Sequence, residues 1–362
     1  MNAFERKFAT KMAGSYLAST PGLVISAHHL GKKILDLSFG QSFEYYDLAS
    51  VTKIVFTAST MMFAFDEKKY RLQDKVSRWV DWFPQSSPAT VHDLLCHSAG
   101  LTWWHPFYKK IEQKTSSRSS PESAWREFET ILRRQILADF KKSGKIKWPP
   151  QTVYSDLDLF VIGLIMEKFS GRSLYENWQN SCERMGLKDT DFHRANKPRH
   201  ARKLYAPTED DQKWRARVLV GEVHDQNTWA LKGVAPHAGL FAPLADLDRW
   251  GLLLRRAMRG ERLQNFASPD TVRLFTRRQI PRARGDWALD FMMKGKDNPS
   301  VGNLLSSKTV GHLGFTGTSL WYDPKLDLLV NILSNRIHPS VENIEIRTLR
   351  PKIHTWIAEE LN

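Results

Sequence analysis

"YYDLASVTKIVF", residues 45 to 56, is the stretch on which the reading of this chain turns. It passes from an aromatic, extended start into an apolar run continued by Ala58, Met61, Met62 and Phe65, the spacing of a buried helix. Ser50 stands at the changeover, and Lys53 follows three positions later inside a run otherwise fit for a core. Either Lys53 snorkels to the surface from an ordinary helix, or it is the chemical partner of Ser50. Positions i and i+3 share a helix face, so the amine reaches the hydroxyl. A serine at its ordinary pKa is a weak nucleophile and needs a neighbouring base; a lysine serves if burial depresses its pKa. The Ser50 N–H would be one of the unpaired donors of a helix N-terminus, suited to stabilising an oxyanion.

The chain is 362 residues long, enough for one large domain or two ordinary ones. Its 41% hydrophobic residues, 13 Trp and 19 Phe exclude a disordered protein. A net charge of +14 favours anionic partners in general. Yet Lys and Arg cluster only at "KKSGKIK" (141–147), "KPRHARK" (197–203) and "RRQIPRAR" (277–284), without interleaved aromatics. With no helix-turn-helix, zinc-finger or ribonucleoprotein motif, a solvated surface explains the charge better than nucleic-acid binding does. The start is charged at Glu5, Arg6, Lys7 and Lys11 and lacks the apolar centre of a secretory signal. No stretch has the length of a membrane-spanning helix. Cys96 and Cys182 form no disulfide framework and suit a reducing compartment. The expected location is cytoplasmic, or periplasmic if a leader has been removed.

Phe4, Phe8, Met12 and Leu17 predict an amphipathic first helix. "GLVISAHHLGKKILDLSFG" (22–40) reads as a hairpin turned at Gly31. A short helix capped by Thr90 and stopped near Gly100 follows, then a surface loop at "TSSRSSP" (115–121). "SDLDLFVIGLIMEKFSG" (155–171) is the clearest helix, capped by Ser155 or Asp156 and ended by Gly171. "HLGFTGTSLWYDPKLDLLVNILSN" (312–335) reads as two antiparallel strands about a turn, and a last helix starts at Pro351. Strands towards both ends with helices between imply an α+β layout. Residues 1–65 and 235–362 would form the sheet domain and 66–234 a mostly helical insertion, with one cleft between them.

Two further segments reinforce the Ser50–Lys53 pair. "VYSDLDLF" places Tyr154 just ahead of the clearest helix, and "GHLGFTGTSLWYD" places His312 and Gly314 on a strand. With these, the chain resembles the serine hydrolases of the penicillin-binding-protein and class C β-lactamase type. Their three motifs appear in order as Ser50-Val51-Thr52-Lys53, Tyr154-Ser155-Asp156 and His312-Leu313-Gly314. "TVHDLLCHSAGL", "MGLKDTDF" and "GEVHDQNTWALKGVAPHAGLFAPLADLDRW" look familial as well, so the resemblance runs from about residue 20 to about residue 340. It implies an antiparallel sheet flanked by helices, Ser50 as nucleophile, Lys53 as its base and Tyr154 sharing proton transfer. It also implies an oxyanion hole from the N–H groups of Ser50 and Phe315, with no cofactor and no metal. His312 would contribute a donor or a pH-dependent charge.

Two departures bear on substrate. Asp156 stands where Asn is usual, and an ionised Asp only accepts hydrogen bonds. Leu313 stands where Thr or Ser often helps to bind a substrate carboxylate, which leucine cannot do. Both favour an esterase or amidase acting through an acyl-enzyme over a D-alanyl-D-alanine carboxypeptidase or weak β-lactamase. The substrate would be a small ester, amide or D-amino peptide. A catalytically silent relative that binds a ligand in the same cleft is the alternative of another kind. His224, Asp225 and His237 match no standard zinc spacing and read as structural, with His237 and Trp104 possible cleft walls beside Asp156, Leu313 and Gly314.

Overall fold

Along Leu328–Ser334 successive side chains enter two different apolar environments, and all seven residues are buried. Leu328, Val330 and Ile332 face one hydrophobic cluster while Leu329 and Leu333 face another, the alternation a pleated strand imposes. A strand buried on both faces lies inside a sheet. In this computed structural model, which describes residues 1–112, 120–143, 150–297 and 299–361, that sheet is antiparallel and six-stranded. Its order is Lys32–Gly40, Gly22–His29, Leu328–Ser334, Ser319–Asp323, Val310–Leu313, Met292–Met293. Leu23 pairs with Ser334 and His29 with Leu328, so strands some 300 positions apart in sequence adjoin at the sheet's centre. The fold is α+β.

One face is covered by the first helix, Ala3–Met12, and the last, Ile346–Glu359, through Phe8, Met12, Ile346, Leu349, Ile353 and Ile357. The other carries helix Leu244–Met258, with Trp250 and Leu254 on Leu329, Leu320 and Tyr322, and beyond it the larger core. That core is centred on Ser59–Asp66 and on Asp156–Ser170, the latter capped by Ser155 and closed by Gly171 at φ 68°. A three-stranded sheet joins Tyr46–Asp47 to Leu240–Ala242 and Asp191–Phe192. Pro207–Asp211 pairs with Arg217–Val220. The segment 66–234 thus holds strands as well as helices, one of them paired with the chain on its C-terminal side.

Three boundaries differ from the sequence expectation. The first helix stops at Met12, and Leu17 lies outside it, 68% exposed. The helix capped by Thr90 ends at Leu95, because His97 turns to φ 53°. The last helix begins at Ile346, with Pro351 inside it; burial of Ile346 and Leu349 on the sheet outweighs the hydrogen bond that proline removes. The loop expected at 115–121 and the "KKSGKIK" cluster lie largely outside the described residues.

Because Ile353 is fully buried between the last helix and the sheet, Ile353→Ala is expected to cost about 2–5 kcal/mol. Urea unfolding checks this, the midpoint falling with the slope unchanged.

Candidate active site

Three remote segments are tied together before any chemistry is considered. The Thr316 hydroxyl donates to the Asp47 carbonyl at 2.6 Å, and the Thr318 hydroxyl to the Leu48 carbonyl at 3.0 Å. The buried Asp47 carboxylate accepts from the N–H groups of Ala49 and His224, both at 2.8 Å. Ala49 is held at φ 45°, in the left-handed region that non-glycine residues adopt rarely. The next residue is Ser50. Gly314 lies where this turn meets the Ser50 segment, and a Cβ there would collide with Thr318 Oγ1 and the Leu48 carbonyl.

After Val51 and Thr52 the chain forms a π-helical turn over Lys53–Ala58 rather than a regular helix. Ser59 Oγ donates to the Ile54 carbonyl at 3.3 Å, five residues back, and Thr57 Oγ1 donates outwards to the Pro236 carbonyl at 2.5 Å. Such widened turns recur at functional sites. Lys53 points inward and is fully buried. Its ammonium donates to Ser50 Oγ at 3.0 Å, Asp156 Oδ1 at 2.9 Å and the His237 carbonyl at 3.1 Å, using all three N–H groups. Tyr154 Oη donates to the same Ser50 oxygen at 2.8 Å. Trp287 stacks parallel on the Tyr154 ring at 5.5 Å. The N–H groups of Ser50 and Phe315 donate to no other described group.

The electrostatics correct one expectation. Burial does push the Lys53 pKa down, but the Asp156 carboxylate and Tyr154 outweigh it, and the net shift is upward. At rest Lys53 is therefore an ammonium ion rather than a free amine. Removal of water raises the Tyr154 pKa, with Lys53 opposing in part, so the phenol is neutral.

His312 corrects a second. Its Nδ1 donates to the Leu313 carbonyl at 2.8 Å, and Nε2 has no partner among the described residues. Burial, and then the charge of Lys53, lower its pKa to about 3. It is a neutral, buried ring with no charge to gain near neutral pH.

These groups line a cavity of about 790 Å³, walled by Trp103, Trp104 and Trp287 and, elsewhere, by Leu313, Gly314, Phe315, Arg336, Arg347 and Arg350. His224 is engaged by Glu209 at 2.9 Å. His237 Nε2 lies 3.1 Å from Asp225 Oδ1. Burial works to raise the Asp225 pKa, but His237 and the Thr228 N–H hold it below the usual carboxylate range. Asp156, Asp225 and His237 have ligand atoms within 4.8 Å of one another, the spacing of a cation site. The Lys53 ammonium already rests on Asp156 there. Sequence reasoning missed Trp287, the Asp47 anchor and the three arginines. Trp287 and the arginines belong to no motif, and Asp47, though it stands in the opening stretch, acquires its role as an anchor only through folding.

Comparison with known proteins places this chain in a family. The profile of the beta-lactamase family matches residues 4–353, and the chain belongs to that family. It is a serine hydrolase of the beta-lactamase type. A Salmonella typhimurium protein provisionally named a D-alanyl-D-alanine carboxypeptidase is 28% identical over 350 residues, covering 87% of this chain and 76% of its own. EstCE1, described as a hydrolase with promiscuous acyltransferase activity, superposes with a TM-score of 0.68 at 17% identity, over 99% of this chain and 100% of its own. An octameric penicillin-binding protein homologue from Pyrococcus abyssi gives 0.68 at 20% identity, over 95% and 76%. At these identities the two structures speak for the fold alone. No described helix is long and apolar enough to cross a membrane.

His312 is expected to stay neutral between pH 5 and 8, about the range in which an unperturbed histidine titrates. Histidine ring shifts in NMR check this against Asn at position 312; a midpoint near 6.5, the unperturbed value, would contradict the buried, lysine-facing placement.

Proposed function

We propose that this protein hydrolyses esters, and amides more slowly, through a covalent acyl-enzyme on Ser50. The observation that carries the reading is the convergence of Lys53 Nζ and Tyr154 Oη on one serine oxygen, at 3.0 and 2.8 Å, beside two uncommitted backbone N–H groups. Ser50 Oγ attacks the carbonyl carbon, and its proton passes to Lys53 in the neutral amine form. The N–H groups of Ser50 and Phe315 hold the oxyanion. Tyr154 hands its proton to the leaving group and is refilled from Lys53, which regenerates the amine. Water, deprotonated by the same pair, then releases the acyl group.

A D-alanyl-D-alanine carboxypeptidase is the second reading, favoured by the names of the Salmonella relatives. Against it stand Asp156, which cannot donate to a substrate amide while ionised and is occupied by Lys53, and Leu313, whose side chain has no polar atom to offer a carboxylate. The walls of Trp103, Trp104 and Trp287 suit an apolar acyl or aryl group.

Intact mass spectrometry after exposure to a fluorophosphonate is expected to show one adduct, abolished by Ser50→Ala. That substitution is expected to lower kcat/KM on p-nitrophenyl butyrate by at least about 10³-fold. Equal turnover by both proteins would end the Ser50 acyl-enzyme reading, and a long-lived penicillin adduct would favour the peptidase.

The ion pair sets the pH dependence. A lysine whose pKa is raised is an amine only in alkaline solution, so kcat/KM is expected to climb with pH. Asp156→Asn removes the main upward influence, and the rising limb is expected to move to lower pH by about one unit or more, each unit being about 1.4 kcal/mol. An unmoved limb would mean that Lys53 is not the group that titrates.

A further inference from the structure

We propose that the cavity contains a second subsite, in which Arg336, Arg347 and Arg350 bind a doubly charged, phosphate-type oxyanion carried by the substrate. The proposal rests on the hydrolase reading for the word substrate, and on the arginines alone for the binding. All three residues line the cavity that Ser50 and Tyr154 line. Arg336 follows the central strand Leu328–Ser334, and the other two lie on the first turns of the last helix.

Each presents unused donors. Arg336 spends Nε on the Phe315 carbonyl at 2.8 Å and Nη1 on the carbonyls of Val341, at 3.1 Å, and Asn343. Its Nη2 has no partner among the described residues. Arg350 spends Nε on the Gly317 carbonyl at 3.3 Å and Nη2 on those of Gly314 and Thr318, both at 3.0 Å; its Nη1 is likewise unspent. Arg347 is exposed and its guanidinium makes no bond to a described group.

Every protein acceptor for these three is a neutral carbonyl, and no carboxylate pairs with any of them among the described residues. Elsewhere the chain does the opposite. Buried Arg215 pairs with Asp211 at 2.7 Å, and Arg255 with Asp327 at 2.6 Å. Burial first, and then the neighbouring arginines, lower Arg350 to about 9 and Arg336 to about 10, so both stay charged at neutral pH while repelling each other. Three clustered cations without a counter-charge, at the wall of a substrate cavity, are an anion site.

The charge count selects the anion. One carboxylate would compensate one guanidinium and leave two. A phosphate-type group brings about two charges and three terminal oxygens to three guanidinium forks. The site also supplies what Leu313 cannot, since the anion is taken by the neighbouring helix rather than by the motif strand.

The test uses phenylphosphonate, benzoate and benzamide, which share an aryl ring for the tryptophan wall and carry two, one and no charges at mildly alkaline pH. Each is titrated calorimetrically into Ser50→Ala at fixed ionic strength. Phenylphosphonate is expected to bind at least about tenfold more tightly than benzoate, and benzamide most weakly. Arg347→Glu, an exposed position, is expected to erase that ranking, and added salt to compress it. Benzoate binding as tightly as phenylphosphonate overturns the proposal, as does an unchanged ranking in Arg347→Glu. If Ser50 fails to react with fluorophosphonate while the Arg347-dependent ranking holds, the subsite stands and the hydrolase reading falls.

Discussion

A fully buried lysine ammonium is the constraint on which the site depends. Burying a lone charge is costly unless it is paired and fully hydrogen-bonded, and Lys53 meets that demand with three acceptors from three parts of the chain: Ser50, Asp156 and the His237 carbonyl. The same contacts draw Ser50, the second motif and the 236–238 segment to one point. Stability and chemistry pull in opposite directions here. The carboxylate that makes the buried cation tolerable also keeps it protonated, and the proposed proton abstraction from Ser50 must work against that pairing.

Much of this architecture was legible in the sequence, and where it was not the reason is physical. Ser155 with Gly171 bounded a helix because capping and left-handed closure are local. The strands Ser319–Asp323 and Leu328–Ser334 were legible because alternation and a turn are local too. That Ser50, Lys53 and Tyr154 would meet could be anticipated because short motifs preserve spacing. The ionisation of Lys53 could not, since it is set by Asp156, 103 positions away. Nor could the π-helical turn, because nothing in "KIVFTA" departs from an ordinary apolar helix; the widening depends on Ser59 and Thr57 finding particular carbonyls. The start of the last helix was misplaced because tertiary burial overrode the usual position of proline.

The cavity wall is mixed in a way composition alone does not show. Tryptophans and guanidiniums both line it, with Trp287 stacked on Tyr154. Arg336 lies 4.6 Å from the Phe315 ring centre on a cation–π contact and bonds the Phe315 carbonyl, while His224 stacks on the ring at 5.5 Å. Phe315, proposed above as an oxyanion donor, is therefore fixed by side chains from two other segments. A net charge of +14, diffuse along the sequence, acquires a local meaning only after folding.

The pairing of Gly22–His29 with Leu328–Ser334 sets an order of events during biosynthesis. An early hairpin leaves the ribosome with one edge open and waits for some 300 further residues before its central neighbour arrives. Such long-range closure is slow, and until then an apolar edge is available to other nascent chains. The helical segments between can pack meanwhile, but Thr316 and Thr318 reach Asp47 and Leu48 only once the late strands have docked. The cleft is thus among the last features to mature, and truncation within Leu328–Ser334 would leave a translated body without a working centre.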